Sequence, residues 1–373
     1  MPKGSMCPYC FKIIWKNNVV FRKKDGEKVT DEYIKAYEKN KGNEDFSRND
    51  YKYVDPAFFP EHEKKYSDSN LLLSIRDKTG NELDDRLCPY CHSEFHTGFG
   101  ERETFPFSVI GNTNAGKTTY LSAISKQVKN SIFLNLIHVG GEKTIERYGE
   151  VLDKTEFKDL SDNSKSTVAF LGPYIYDAIT NIPVTKKTPK KKDATLVFYD
   201  LPGESFKNPE DISKNASYIS HSSGWIFLID PTMDHKNAVS VFDSIYNSFI
   251  ASGNRHKTNI ALVINKGDLL TDIGNDEYFT AMQQRTYFEK EPLDLQLVKK
   301  NSDEIRRVIV NKSGDLRALE ANVSKFFGEK NFSWFITSCF NQDGFKPINC
   351  EEPFYWLLSK IGLYPSVDGP TKT

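Results

Sequence analysis

The stretch Phe105-Pro106-Phe107-Ser108-Val109-Ile110-Gly111-Asn112-Thr113-Asn114-Ala115-Gly116-Lys117-Thr118 decides the fold. Phe105 to Ile110 is an apolar run that reads as a strand, and the eight residues after it fit G-x-x-x-x-G-K-[ST], the pattern of a phosphate-binding loop. Gly111 and Gly116 let backbone N–H groups turn inward around an anion, and a helix starting near Lys117 adds the positive end of its dipole. Asn112, Asn114, Ala115 and Gly116 form the cradle, with Thr119 just behind it. Lys117 is placed to reach the β and γ phosphates, and the Thr118 hydroxyl is a candidate Mg²⁺ ligand. Thr119 to Val128 continue as an amphipathic helix, so strand, loop and helix follow in the order this chemistry needs.

From Thr104 onward strands and helices alternate, which predicts an α/β fold: a doubly wound, mostly parallel sheet with helices on both faces. Ala194 to Tyr199 form a strand that runs into Asp200-Leu201-Pro202-Gly203. In this D-x-x-G the Asp200 carboxylate is placed to hold Mg²⁺, and the Gly203 N–H to contact a γ-phosphate. Trp225 to Asp230 read as the next strand, with Trp225 a core or sheet-end aromatic, and Asn237 to Ile250 as a helix. Asn259 to Ile264 lead into Asn265-Lys266-Gly267-Asp268, an N-K-x-D at the strand end where such sheets bind ligands. The chemistry suits guanine: the Asp268 carboxylate can accept from the ring N1–H and the exocyclic amine together. Asn265 braces the loop, and the aliphatic part of Lys266 covers the ring. Phe332 to Ile336 form another strand, and Thr337-Ser338-Cys339 follow it, where Ser338 and Cys339 present small side chains and N–H groups toward a guanine O6. Gly140 to Leu152 and Val168 to Ile179 show helical pattern. Residues 270–330 read as a charged, largely helical insertion that includes Asp303 to Val310 and Leu316 to Phe327. Pro353 to Leu358 begin an apolar helix, and residues 366–373 read as a disordered tail.

With 373 residues the chain has room for a second unit, and its 50 basic and 51 acidic residues leave a net charge of −1. No global field draws it to nucleic acid or an anionic membrane, so nucleic acid is not the expected partner. The N-terminus lacks the apolar core of a secretory signal, and no apolar run approaches the roughly 18 residues of a membrane span, so a cytoplasmic location is expected. The run 186–192, rich in lysine, is one concentrated basic patch. A solvated hairpin tip is the simpler reading, with local contact to nucleic acid, lipid headgroups or an acidic partner the other.

Four of the six cysteines form two identical turns, Cys7-Pro8-Tyr9-Cys10 and Cys88-Pro89-Tyr90-Cys91. Two C-x-x-C turns can give four thiolates to one tetrahedral Zn²⁺. Residues 11–87 lie between them, far more than the roughly 15 to 20 of a compact ribbon, which implies an insertion. C-P-Y-C also resembles the active-site turn of glutaredoxins. That turn should follow a strand and open a helix, whereas Phe11 to Phe21 and Leu71 to Ile75 look like strands beside each turn. Residues 1–103 are therefore expected to be a zinc-ribbon-like domain with a helical or irregular insertion. It has little apolar sequence, and a metal would supply stability. His92 and His96 read as polar residues of the turn rather than ligands, and Cys339 and Cys350 show no partner pattern.

The order G-x-x-x-x-G-K-T, D-x-P-G, N-K-x-D and T-S-C resembles the translation-factor-related (TRAFAC) class of P-loop GTPases over residues 104–365. The C-P-Y-C-F turn and the closing P-F-Y-W-L-L helix resemble bacterial conflict-system proteins of the double-GTPase type. This resemblance implies a Mg²⁺-dependent switch that binds GTP or GDP and turns GTP into GDP and phosphate, with Lys117, Gly203, Glu204 and Thr185 at the reacting end. It also implies a protein effector, a partner subunit or a second copy of the chain. Glu204 stands where small GTPases usually carry the glutamine that orients the attacking water. A carboxylate there predicts slow or partner-stimulated hydrolysis, or a binding scaffold with negligible turnover; it also fits the first turn of a helix. The switch threonine is assigned to Thr185, with Thr188 and Thr180 as rivals.

Overall fold

The computed structural model describes residues 4–23, 53–96, 98–128, 132–139, 173–180, 193–201, 217–251, 258–270, 292–341 and 344–367. A seven-stranded sheet forms the centre. Its strands are β1 (Glu103–Gly111), β2 (Leu134–His138), β3 (Tyr174–Thr180), β4 (Ala194–Asp200), β5 (Gly224–Ile229), β6 (Asn259–Ile264) and β7 (Phe332–Ile336), and they lie in the order β2-β3-β4-β1-β5-β6-β7. From β4 to β7 the neighbours are parallel, while β2 and β3 add antiparallel pairs at one edge. Strands β4, β5 and β7 are buried throughout, as expected when helices cover both faces of a parallel sheet.

Among the described residues, five helices complete this unit: α1 (Lys117–Val128), α2 (Lys236–Ala251), α3 (Leu295–Val308), α4 (Gly314–Phe327) and α5 (Glu351–Lys360). One face buries Tyr120 and Ile124 of α1 with Phe354, Tyr355 and Leu358 of α5. The other buries Phe242 and Ile245 of α2 with Leu316, Leu319 and Val323 of α4. The helical part of 270–330 is packed into the sheet: α3 sits on β7, and α4 on α2 and β7.

Two expectations are corrected. Val168 to Ile179 was expected as helix, but Tyr174–Thr180 is a strand between two neighbours, and Gly140 to Leu152 lie outside the described residues. The expected tail beginning at residue 366 starts instead with a short strand, because Ser366 and Val367 pair in parallel with Leu293 and Asp294. Leu293 N–H also donates to the Pro365 carbonyl at 3.0 Å, which fixes the chain before residue 368.

The N-terminal unit holds short antiparallel pieces. Ser5–Met6 pairs with Ile13–Ile14 around the first cysteine turn, and Val20–Arg22 lies between Tyr53–Val54 and Arg86–Leu87. The two turns are built alike. Cys7 N–H donates to Lys12 O and Phe11 N–H to Cys7 O, just as Cys88 N–H donates to Ser93 O and His92 N–H to Cys88 O. Phe11 (φ 62°) and His92 (φ 50°) both adopt the left-handed conformation that closes the turn.

Candidate functional site

Strands β1, β4, β5, β6 and β7 deliver their last residues to one rim, where Asp200 pairs with Val109, Leu228 with Gly111, and Ile264 with both Ile229 and Ile336. In such sheets this carboxyl edge is where ligands sit. The phosphate loop fills its centre. A Cβ on Gly111 would lie 2.7 Å from the Leu228 carbonyl, so no larger residue fits there. Gly116 has φ +80°, and a Cβ on it would meet Asn265 Nδ2 at 2.8 Å. Asn114 is also left-handed, and Ala115 N–H donates to Asn112 O at 3.1 Å.

Lys117 is buried, and its ammonium donates to the Gly111 and Asn112 carbonyls at 3.0 and 2.9 Å. Burial lowers its pKa, while the Asp200 carboxylate acts the other way. Thr118 Oγ1 donates to Asp200 Oδ2 at 2.6 Å. The two candidate Mg²⁺ ligands are thus in contact, one hydroxyl and one carboxylate, which is the hard oxygen set that ion prefers. Thr119 follows on the first turn of α1. Thr113 was not singled out from the sequence, yet its hydroxyl is buried in the loop with no hydrogen-bond partner among the described residues.

At the other end of the rim, Asn265 is 2 % exposed and donates from Nδ2 to the Ala115 carbonyl at 2.8 Å, which ties the N-K-x-D turn to the phosphate loop. Its Oδ1 accepts from Thr337 Oγ1 at 3.0 Å. Gly267 N–H donates to Thr337 O, and a Cβ there would strike Ile336 at 2.5 Å. Lys266 is left-handed and pairs with Asp230 Oδ2 at 2.6 Å, which aims its aliphatic stem. Burial opposes ionisation of Asp230, but Lys266 and Thr232 outweigh it and hold the carboxyl below its usual range. Asp268 is exposed, and its Oδ1 accepts from Ser338 Oγ. Ser338 begins a short strand, Ser338–Asn341, that pairs with Gly344–Ile348, a hairpin the sequence reading did not include. Cys339 is buried in it, 3.8 Å from Cys350 across the Sγ atoms, so two cysteines with no sequence pattern are neighbours. Gly203, Glu204, Thr185, Thr188 and the lysine run lie outside the described residues. Thr180 ends β3, its N–H bonded to Asp193.

The second site is the cysteine cluster. The sulfurs of Cys7, Cys10, Cys88 and Cys91 all lie within 4.8 Å of one another. Cys7 and Cys91 are 3.9 Å apart, and Cys10 and Cys88 are 3.6 Å apart. Tetrahedral ligands at the usual Zn–S length are about 3.8 Å apart, close to these two separations, so the four sulfurs suit a zinc ion. Burial and the neighbouring thiols raise the Cys7 pKa well above its ordinary value, a cost that a coordinated cation removes. Neither histidine joins the cluster. The His92 ring rests on Tyr53 at 4.0 Å. His96 is buried with Nε2 3.9 Å from Asp177, and burial pulls its pKa down to about 4.

The sheet order with a phosphate loop on its central strand, and the N-K-x-D turn hydrogen-bonded to that loop, define a P-loop NTPase of the GTPase kind. Residues 106–330 match the Double-GTPase 2 family, and the chain belongs to it. No curated protein matches the chain. Among solved structures it is similar to the S. cerevisiae Ski7 GTPase-like domain bound to GDP and inorganic phosphate, at 15% identity and TM-score 0.31, covering 65% of this chain and 46% of that one. The same domain bound to GTP matches at 15% identity and TM-score 0.33, covering 69% and 50%. The chain spans about half the length of those two chains.

Proposed function

We propose that this chain binds GTP with Mg²⁺ along the rim and hydrolyses it slowly, as a switch. The observation that carries this reading is the Asn265 to Ala115 hydrogen bond, which joins a base-reading turn and a phosphate cradle into one site. Membership of the Double-GTPase 2 family supports it. The phosphate-loop N–H groups and Lys117 would hold the β and γ phosphates, Lys117 exchanging its two carbonyl partners for phosphate oxygens. Thr118 and Asp200 would hold Mg²⁺, which supplies charge neutralisation between those phosphates. Asn112, Asn114 and Thr119 would flank the phosphates. Asp268 would accept from the guanine edge, with Lys266 over the ring and the N–H groups of Ser338 and Cys339 toward O6. Thr185 and Gly203 are proposed as the γ-phosphate contacts whose release on hydrolysis changes a surface read by a protein effector or a second copy.

Glu204 favours a second reading, a GTP-binding scaffold with negligible turnover. One experiment separates the two. Purified chain with GTP and Mg²⁺ is expected to release phosphate, and Lys117→Ala to abolish it; tight GTP binding without release identifies the scaffold, and preference for ATP overturns both. A role in bacterial conflict, implied by the sequence resemblance, is proposed with the switch. It predicts that any phage resistance conferred by the chain is lost in Lys117→Ala.

A further inference from the structure

The two cysteine turns share a sequence and a backbone, yet they face different surroundings. In the second, Tyr90 is 48% exposed and His92 rests on Tyr53 within the small unit. The first is pressed against the sheet. Tyr9 packs on both cores, and Phe11 reaches the large one. Tyr199, fully buried, donates its hydroxyl to the Pro8 carbonyl at 2.8 Å. The Phe11 ring stands edge-on to Tyr199 at 5.8 Å and to Tyr218 at 4.9 Å, and stacks on His221 at 4.6 Å.

Tyr199 immediately precedes Asp200 on β4, so the two side chains leave the strand on opposite faces and share one peptide unit. Whatever holds Tyr199 therefore sets the backbone from which the Asp200 carboxylate reaches Thr118. Tyr218 is anchored in turn to the phosphate-loop strand, because its carbonyl accepts from Ser222 Oγ at 2.7 Å and Ser222 Oγ lies 2.7 Å from Ser108 Oγ of β1. The Phe11 backbone is set by the cysteine turn itself, through its N–H bond to the Cys7 carbonyl at 3.0 Å.

We propose that Phe11 and Tyr199 are positioning residues through which the first cysteine turn holds the strand end bearing Asp200, so that metal in the four-cysteine cluster and Mg²⁺–nucleotide at the phosphate loop strengthen each other's binding. The linkage rests on the nucleotide reading above. It is reciprocal by thermodynamic necessity, so each ligand changes the other's affinity by one common factor.

The test uses the full chain loaded with zinc, a fluorescent GTP analogue, and a Mg²⁺ titration. Phe11→Ala is expected to raise the Mg²⁺ concentration for half-maximal retention of the analogue by roughly fivefold or more. Tyr199→Phe keeps the ring, removes the hydroxyl that is bonded to Pro8, and should shift it less in the same direction. Tyr90→Ala, an aromatic loss on the outward turn at the position equivalent to Tyr9, should leave the titration in place. Conversely, Mg²⁺–GTP should slow zinc transfer to a colorimetric chelator in the wild type and not in Phe11→Ala. A lowered melting temperature with an unchanged Mg²⁺ titration, or zinc transfer indifferent to nucleotide in the wild type, overturns the inference alone. Failure of the wild type to bind any guanine nucleotide overturns the functional reading and the inference with it.

Discussion

At the scale of single residues, the rim leaves little freedom. Gly111 is tied to its identity by space: a methyl group would sit 2.7 Å from the backbone oxygen of Leu228, which cannot move without disturbing β5. Gly111→Ala is expected to cost about 1–3 kcal/mol, as overpacking does, visible as a lower melting temperature of the chain without nucleotide. Asp268 differs, because it is exposed and its known partner is Ser338, so Asp268→Asn should fold normally. Replacing a charged acceptor with an amide removes a hydrogen bond worth about 1.5–3 kcal/mol, so GTP affinity should fall by roughly 10- to 150-fold. Competition with ATP measures it, and unchanged GTP preference would remove Asp268 from the base site. These residues were legible in the sequence because each motif follows an apolar strand. Thr113 was not, since a threonine at a variable position of the loop carries no pattern until its neighbours are placed; Thr337 was read within T-S-C, but its bond to Asn265 Oδ1 shows only once the two turns are placed together.

At the scale of elements, the packing between the small unit and β3 adds a proton-linked contact. His96 is buried against Asp177, which also pairs with Arg102 and accepts from Thr195 Oγ1 at 3.0 Å. Burial is the main cause of the low His96 pKa; Asp177 favours the charged ring, and Arg86 and Arg102 oppose it. With a folded pKa of about 4 against an unfolded value near 6.5, the unfolded chain binds the extra proton between those limits. Stability is therefore full above pH 6.5 and declines as pH falls toward 4, by about 3 kcal/mol from this group. Cysteine protonation contributes acid sensitivity of its own, so the readout is a difference: His96→Phe should lose less stability than wild type over that interval in denaturant titrations. Strand β3 also shows why some elements were misread. Tyr174-Ile175-Tyr176-Asp177-Ala178-Ile179 has no alternation, because a strand with both faces covered needs none, and a largely apolar run broken only by Asp177 is ambiguous between helix and strand. Ser366–Val367 was hidden for another reason: two residues that pair with a distant partner carry no local signal.

At the scale of the whole molecule, the cysteine cluster joins two bodies of unequal strength. The large unit buries two extensive apolar layers, whereas the small one relies on a shorter set: Ile14, Val19, Phe21, Leu72, Ile75, Leu83, Phe95 and Phe99 around the cysteines. A core of that size would gain stability from a metal, and thiolate binding would then become part of folding. Metal analysis should find about one zinc per chain, lost in Cys88→Ser. Stripping the metal should raise hydrogen exchange through residues 5–22 and 64–95, because their strands close on the cluster. It should also raise exchange at Tyr218 to Ser222, where Phe11 packs, and leave β6 and β7 protected, since their partners all belong to the large unit. Loss of protection in β6 and β7 in the same step would mean that the two bodies unfold as one, and that the metal stabilises the sheet itself rather than the face it leans on.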